Sequence, residues 1–138
     1  MNDLSIYQEK ILNLAAENKK SIAIEDYNRS YEIKNPICGD EMQINIKVIK
    51  NKIYDFGYQC KSCVYCQASA SLLSKSALSK DIDHVKKIID IAKNFFEKKD
   101  NNFPKEWLVF NKIFNKKNFV RKECLLLPFK TLAKALNF

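Results

Sequence analysis

From Met42 to Tyr58 the order of residues leaves the chain little choice but a β-hairpin. Met42, Ile44, Ile46 and Val48 alternate with Gln43, Asn45, Lys47 and Ile49, the period-two pattern of a strand with one apolar face. Lys50-Asn51-Lys52 supplies the turn, and a second alternating stretch runs from Ile53 to Tyr58. A further short strand is expected over Ser30 to Ile37, stopped by Pro36. The rest of the chain has helical spacing. Leu4, Tyr7, Ile11, Leu12, Leu14 and Ala15 predict an amphipathic helix from Leu4 to Glu17, and a small-residue helix is expected from Cys63 through Leu73. Its alanines and serines would let a neighbouring backbone approach closely. Ile82, Val85, Ile88, Ile89, Ala92, Phe95 and Phe96 form one stripe of a helix over Asp81 to Lys98, with acids early and lysines late as the macrodipole prefers. Pro104 suits the first turn of a short helix through Trp107 to Phe114. A last helix starts at about Cys124, with Pro128 in its first turns, where a missing donor costs least. The expected fold is α+β: an antiparallel sheet of about three strands, covered on one side by helices.

With 138 residues the chain fits one domain, residues 1–138. A domain of this size buries roughly two-thirds of the surface its unfolded form exposes, so it needs no disulfide staples. Two glycines, Gly39 and Gly57, are too few for a Walker or Rossmann phosphate loop. Apolar runs such as Trp107 to Phe110 are far short of the roughly 20 residues that cross a bilayer. Met1 to Lys10 shows neither a secretory signal nor a transit peptide, so a cytoplasmic setting is expected. There thiols stay reduced, and the five cysteines read as metal ligands or sulfur carriers before disulfides.

The net charge of +8 is unevenly spread: residues 1–60 hold eight bases and nine acids, residues 61–138 sixteen bases and seven acids. Only Arg29 and Arg121 are arginines, and the other 22 bases are lysines, which lack the planar fork that reads guanine or clamps phosphate. A solvated lysine surface that steers acidic partners fits this composition better than a nucleic-acid face.

Cys38, Cys60, Cys63, Cys66 and Cys124 each fall at or beside a predicted element boundary. Cys38-Gly39-Asp40 sets a thiol and a carboxylate two residues apart around a glycine, so a tight turn can aim both at one point. Cys63 and Cys124 stand at expected helix starts, where amide donors and the positive dipole end favour thiolate, the form that binds metal and attacks sulfur. Cys38, Asp40, Cys63 and Cys124 thus make three soft ligands for a thiophilic ion and one weaker oxygen ligand, expected at an exposed tip formed by the Cys38 loop and the Cys63 and Cys124 helix starts, since exchange requires exposure. Cys60-x-x-Cys63-x-x-Cys66 is compatible with half a zinc ribbon or part of a ferredoxin motif, but a second C-x-x-C is missing. Cys60 and Cys66 are therefore either extra ligands or a strand and a helix residue of the core.

Three segments carry a family resemblance: Asn35-Pro36-Ile37-Cys38-Gly39-Asp40, Cys63-Val64-Tyr65-Cys66-Gln67-Ala68-Ser69-Ala70-Ser71, and Arg121-Lys122-Glu123-Cys124-Leu125-Leu126-Leu127-Pro128-Phe129. In order and spacing they resemble the signatures of the IscU/NifU/SufU family of iron-sulfur cluster assembly proteins. The resemblance implies that Cys38, Cys63 and Cys124 hold a nascent cluster or a zinc ion and that Asp40 completes the site and keeps the cluster labile. The interval of 61 residues between Cys63 and Cys124, and Arg121 before the last cysteine, resemble the SufU-like branch, whose members bind zinc and accept persulfide sulfur. Glu123 stands where IscU has a histidine, and the single histidine, His84, belongs to the third predicted helix, away from any ligand role.

Three functions follow as expectations. In the first, a scaffold accepts sulfur from a cysteine desulfurase, assembles a [2Fe-2S] cluster and passes it to recipient apo-proteins or cluster carriers. In the second, a zinc-bound protein acts as the desulfurase's sulfurtransferase partner with no cluster of its own, with Cys38 as the sulfur acceptor. In the third, a basic module with structural zinc binds nucleic acid; its weakness is the lack of interleaved arginines and aromatics. Only the second would be an enzyme, and none needs a membrane.

Overall fold

The computed structural model describes residues 24–34, 39, 41–61, 64–95, 110, 114 and 122–138. Three strands, β1 (Arg29–Lys34), β2 (Glu41–Ile49) and β3 (Lys52–Lys61), form an antiparallel sheet in the order β1-β2-β3. Three helices follow, α1 (Val64–Ala77), α2 (Ile82–Asn94) and α3 (Lys122–Ala135). The expected α+β architecture is the one observed. The helix expected over Leu4 to Glu17, the end of the first strand at 35–37, residues 96–98 of the third helix and most of the short helix over 107–114 lie outside the described residues. Among the described residues no helix is long and apolar enough to cross a membrane.

The hairpin turns over two residues, Lys50 and Asn51, both at positive φ (52° and 64°), as in the primed turns whose twist matches that of the strands. Lys52, expected in the turn, instead opens β3 opposite Ile49. The register then shifts between Lys47 and Val48: Lys47 faces Asp55 while Val48 faces Ile53, which leaves Tyr54 as an extra residue. Its side chain is 69% exposed. This bulge has a reason in the sequence. Ile53 and Phe56 are three residues apart, so a regular strand would send them to opposite faces; one extra residue between them lets both be fully buried.

Met42, Ile44, Ile46, Phe56 and Tyr58 line the face of the sheet that the helices cover, α1 against β3 and α3 against β1 and β2. Asn45, of opposite parity, is also buried at 3% exposure, and its Oδ1 accepts a hydrogen bond from Ser30 Oγ at 2.7 Å, so the amide is not orphaned. Before β1, Asn28 uses its side chain as a short length of strand: Nδ2 donates to the Val48 carbonyl and Oδ1 accepts from the Val48 amide, both at 2.8 Å.

Helix α1 is buried on nearly every side from Ala68 to Ser74. Its small side chains let α3 come close, as expected: Ser69 Oγ donates to the Leu125 carbonyl at 2.6 Å. Helix α2 buries Ile82, Val85, Ile88, Ile89 and Ala92, the stripe foreseen from spacing. Phe110, Phe114 and Phe129 meet edge to face at centroid distances of 5.3 to 6.2 Å, and Phe95 joins through Phe114 at 5.7 Å. The Phe114 amide donates to the Phe110 carbonyl at 2.8 Å, one bond of the helical kind expected there.

Helix α3 begins at Lys122, two residues before the expected start. Pro128 is therefore its seventh residue, an interior position, and cannot donate to the Cys124 carbonyl four residues back. The expectation that Pro128 sits where a missing donor costs least is corrected. Leu125, Leu126, Leu127, Pro128 and Phe129 are all buried, and this packing holds the helix through the missing bond.

Candidate functional site: a cysteine-bearing end of the sheet

Cys38, Asp40, Cys63 and Arg121 lie outside the described residues, whereas Gly39, Cys60, Cys66, Glu123 and Cys124 are described. Gly39 has φ +74°, in the left-handed region, and a Cβ built on it would meet nothing within 4 Å. The obstacle to replacing it is therefore backbone conformation, not space, which is the requirement expected of a tight turn between a thiol and a carboxylate.

The segments that carry Cys38, Asp40 and Cys63 leave the sheet at one end. Lys34, the last residue of β1, pairs with Glu41, the first of β2, and Glu41 pairs in turn with Lys61, the last of β3. Residues 35–40 leave from the first pair and residues 62–63 from the second. At this end Glu32, Glu41, Met42, Gln43, Gln59 and Lys61 line a shallow cleft of about 120 Å³. Lys34 Nζ stands 4.0 Å from Glu32 and 3.9 Å from Glu41, exposed pairs that add little stability in water.

Cys124 is the third residue of α3, in its first turn, as the sequence predicts for a helix-start thiol. An accessible position was expected, but Cys124 is only 4% exposed. Its turn lies against α1, where the carbonyl of the next residue, Leu125, is the acceptor of Ser69 Oγ. Glu123 turns along the helix to Lys130, with its Oε2 3.0 Å from Nζ. His84 is half-buried on α2, the element the sequence assigns it to.

Cys60 and Cys66 meet. Cys60, on β3, shares its face with Phe56 and Tyr58 and so points toward the helices, while Cys66 is the third residue of α1 and fully buried. Cys60 Sγ donates to Cys66 Sγ across 3.5 Å. Cys60, Cys66 and Cys124 are all thiols, not disulfides. Among the described residues no group of three or more His, Cys, Asp or Glu side chains is placed to hold a metal ion. The thiol contact was missed in the sequence although the signal was there: Phe56, Tyr58 and Cys60 share one parity, so Cys60 had to face the helix that begins with Cys66 in its first turn.

A three-stranded antiparallel sheet backed by helices, with two cysteine sulfurs in contact where β3 ends and α1 begins, defines a small cysteine-bearing α+β domain. Residues 6–108 match the model of the NifU-like N-terminal domain, and the chain belongs to that family. It is 30% identical over 135 residues to the iron-sulfur cluster assembly scaffold protein IscU of Thermotoga maritima, a match that covers 96% of this chain and 93% of the relative. A crystal structure from Fervidobacterium islandicum, described as a putative iron-sulfur cluster assembly scaffold protein for the SUF system, superposes with a TM-score of 0.84 at 28% identity, covering 98% of this chain and 99% of that one. The N-terminal part of a nitrogen-fixing NifU-like protein from Brucella abortus shares the fold, with a TM-score of 0.85 at 19% identity over 96% of this chain and 92% of that one.

Proposed function

We propose that this protein is an iron-sulfur cluster assembly scaffold, in which Cys38, Cys63 and Cys124 are the thiolate ligands of the nascent cluster and Asp40 is the oxygen ligand. The observation that carries the reading is the end-to-end likeness to the Thermotoga maritima scaffold, which takes in all four positions' segments within one fold. Two contacts support it. Glu41, which follows Asp40 in the chain, pairs with Lys61, two residues before Cys63, and the Ser69–Leu125 hydrogen bond ties the helix that bears Cys124 to α1, the helix that Cys63 precedes by one residue.

The chemistry begins with a cysteine desulfurase that presents a persulfide. The Cys38 thiolate attacks the outer sulfur, the S–S bond breaks, the desulfurase cysteine leaves as a thiolate, and the sulfane sulfur stays on Cys38 as a new persulfide. Iron, delivered as substrate, is taken by the remaining thiolates, and an external electron donor supplies the electrons that ferrous iron does not, so that each sulfane sulfur is reduced to sulfide, its bond to Cys38 breaks and Cys38 is freed as a thiolate. Three sulfur ligands hold the metal firmly, and Asp40, a harder and weaker partner for iron, lets the finished cluster pass to a recipient apo-protein or carrier. The work is placed in the cytoplasm, where thiols stay reduced.

The test is anaerobic loading of the full chain with ferrous iron, cysteine, a cysteine desulfurase and a dithiol reductant, followed by metal analysis and an absorption spectrum. A brown protein with sulfur-to-iron charge-transfer bands, able to activate an apo-ferredoxin, is the expected result. A colourless, zinc-containing protein that only accelerates desulfurase turnover would replace this reading with the sulfurtransferase one, in which Cys38 takes sulfur and no cluster forms. Asp40→Ala is expected to load a cluster but to transfer it several-fold more slowly, read by the rate of apo-ferredoxin activation; equal rates would remove Asp40 from its role.

A further inference from the structure

Neither Cys60 nor Cys66 has a part in the reading above, yet the fold brings their sulfurs to 3.5 Å, one from the end of β3 and the other from the first turn of α1. A disulfide requires about 2.05 Å. Closing the gap asks for a movement of roughly 1.5 Å, and Cys60 is one residue from the end of its strand, where Lys61 is exposed and the ladder stops. The two thiols differ in access: Cys60 is half-buried, while Cys66 has no exposed surface. One can be reached by a small solute, and the other is covered and in contact with it.

We propose that Cys60 and Cys66 form a two-electron redox site that hydroperoxides oxidise to an intramolecular disulfide, Cys60 reacting first and Cys66 resolving. The Cys60 thiolate attacks one peroxide oxygen, the O–O bond breaks, and sulfur is oxidised to sulfenic acid while the other oxygen leaves and is protonated to water. Cys66 Sγ then attacks Cys60 Sγ; the S–S bond forms and the sulfenic hydroxyl departs as water with the Cys66 proton. Two thiols and one hydrogen peroxide give one disulfide and two waters. A dithiol reductant reverses the reaction through a mixed disulfide. A resolving sulfur already in contact diverts Cys60 from the irreversible sulfinic acid. The bridge closes a loop around Cys63, tying the end of β3 to the first turn of α1. The inference stands on the Cys60–Cys66 contact and does not depend on the cluster reading.

The experiment treats the full chain, reduced and metal-free, with hydrogen peroxide. The expected product has lost two hydrogens and regains them with dithiothreitol. Tryptic cleavage after Lys61 separates Cys60 from the peptide that bears Cys63 and Cys66, and fragmentation of the linked pair is expected to place the bond on Cys66. In Cys66→Ser the oxidation should halt at a Cys60 sulfenic acid that a 1,3-diketone probe traps, and in Cys60→Ser the oxidation of Cys66 should slow by about tenfold or more. A bond from Cys60 to Cys63, faster labelling of Cys66 than of Cys60, or a sulfinic acid at Cys60 without any link would each overturn the proposal. If either serine variant does not fold, the linkage map of the unaltered chain decides alone.

Discussion

At its hairpin end the sheet is bonded to the helical part of the chain through backbone, whereas near its opposite end Cys60 meets the helix through a side chain. Around the Lys50-Asn51 turn, the Ile53 amide donates to the Lys80 carbonyl at 3.1 Å, the Ser79 amide to the Ile53 carbonyl at 2.7 Å and the Ile82 amide to the Asn51 carbonyl at 2.9 Å. Lys52 also bridges to Asp81, so the connection between α1 and α2 serves as a short extra strand beside β3. At the other end the Cys60–Cys66 thiol pair joins β3 to α1, beside the exposed Lys34 ion pairs, and the Ser69–Leu125 hydrogen bond joins α1 to α3. Backbone bonds depend on no particular side chain, so the hairpin end can vary in sequence and keep its shape. The thiol contact depends on residue identity, and it sits at the end where the chemistry is proposed.

Substitutions can break or sharpen this contrast. Ile53 is fully buried where the hairpin meets the α1–α2 connection, so Ile53→Ala is expected to lower unfolding stability by about 2–5 kcal/mol in urea titrations. A loss below about 1 kcal/mol would show that the backbone bonds hold this end without its core. Ser69→Ala removes a buried donor, while the Leu125 carbonyl keeps its place in the ladder of α3; a loss of about 0.5–1.5 kcal/mol is expected by the same measurement. If stability is unchanged, the Ser69 hydroxyl does not fasten α1 to α3. Lys50 holds a positive φ of 52° that asparagine tolerates better, so Lys50→Asn should raise stability by up to about 1 kcal/mol. A loss instead would mean that the turn is shaped by something other than these dihedrals.

The strands were easier to foresee than their flaws. Period-two alternation located β2 and β3, yet the bulge at Tyr54 was visible only as the odd spacing of Ile53 and Phe56, a signal that a search for regular strands passes over. Asn45 shows the converse: its outward parity predicts exposure, and a hydrogen bond from Ser30 on the neighbouring strand accompanies its burial instead. In α3, a start at about Cys124 put Pro128 in the first turns, whereas the helix runs from Lys122, and the packing of the apolar run Leu125 to Leu127 and of Phe129 outweighs one missing bond. For the candidate site, the sequence supplied Cys38, Asp40, Cys63 and Cys124 through their motifs; of these the structure describes Cys124, and finds it buried where access was expected.

By itself, then, the order of residues determined the class of fold, the hairpin, the small-residue helix and the membership of a family that is recognised by short motifs. These are local properties: periodicity, turn chemistry and spacing act over a few residues and can be read along the chain. Only the tertiary structure decided that Cys60 touches Cys66, that Cys124 is covered and that the α1–α2 connection closes the hairpin end. Each of these depends on how one element lies across another, and that is set by the packing of a core to which distant parts of the chain contribute together.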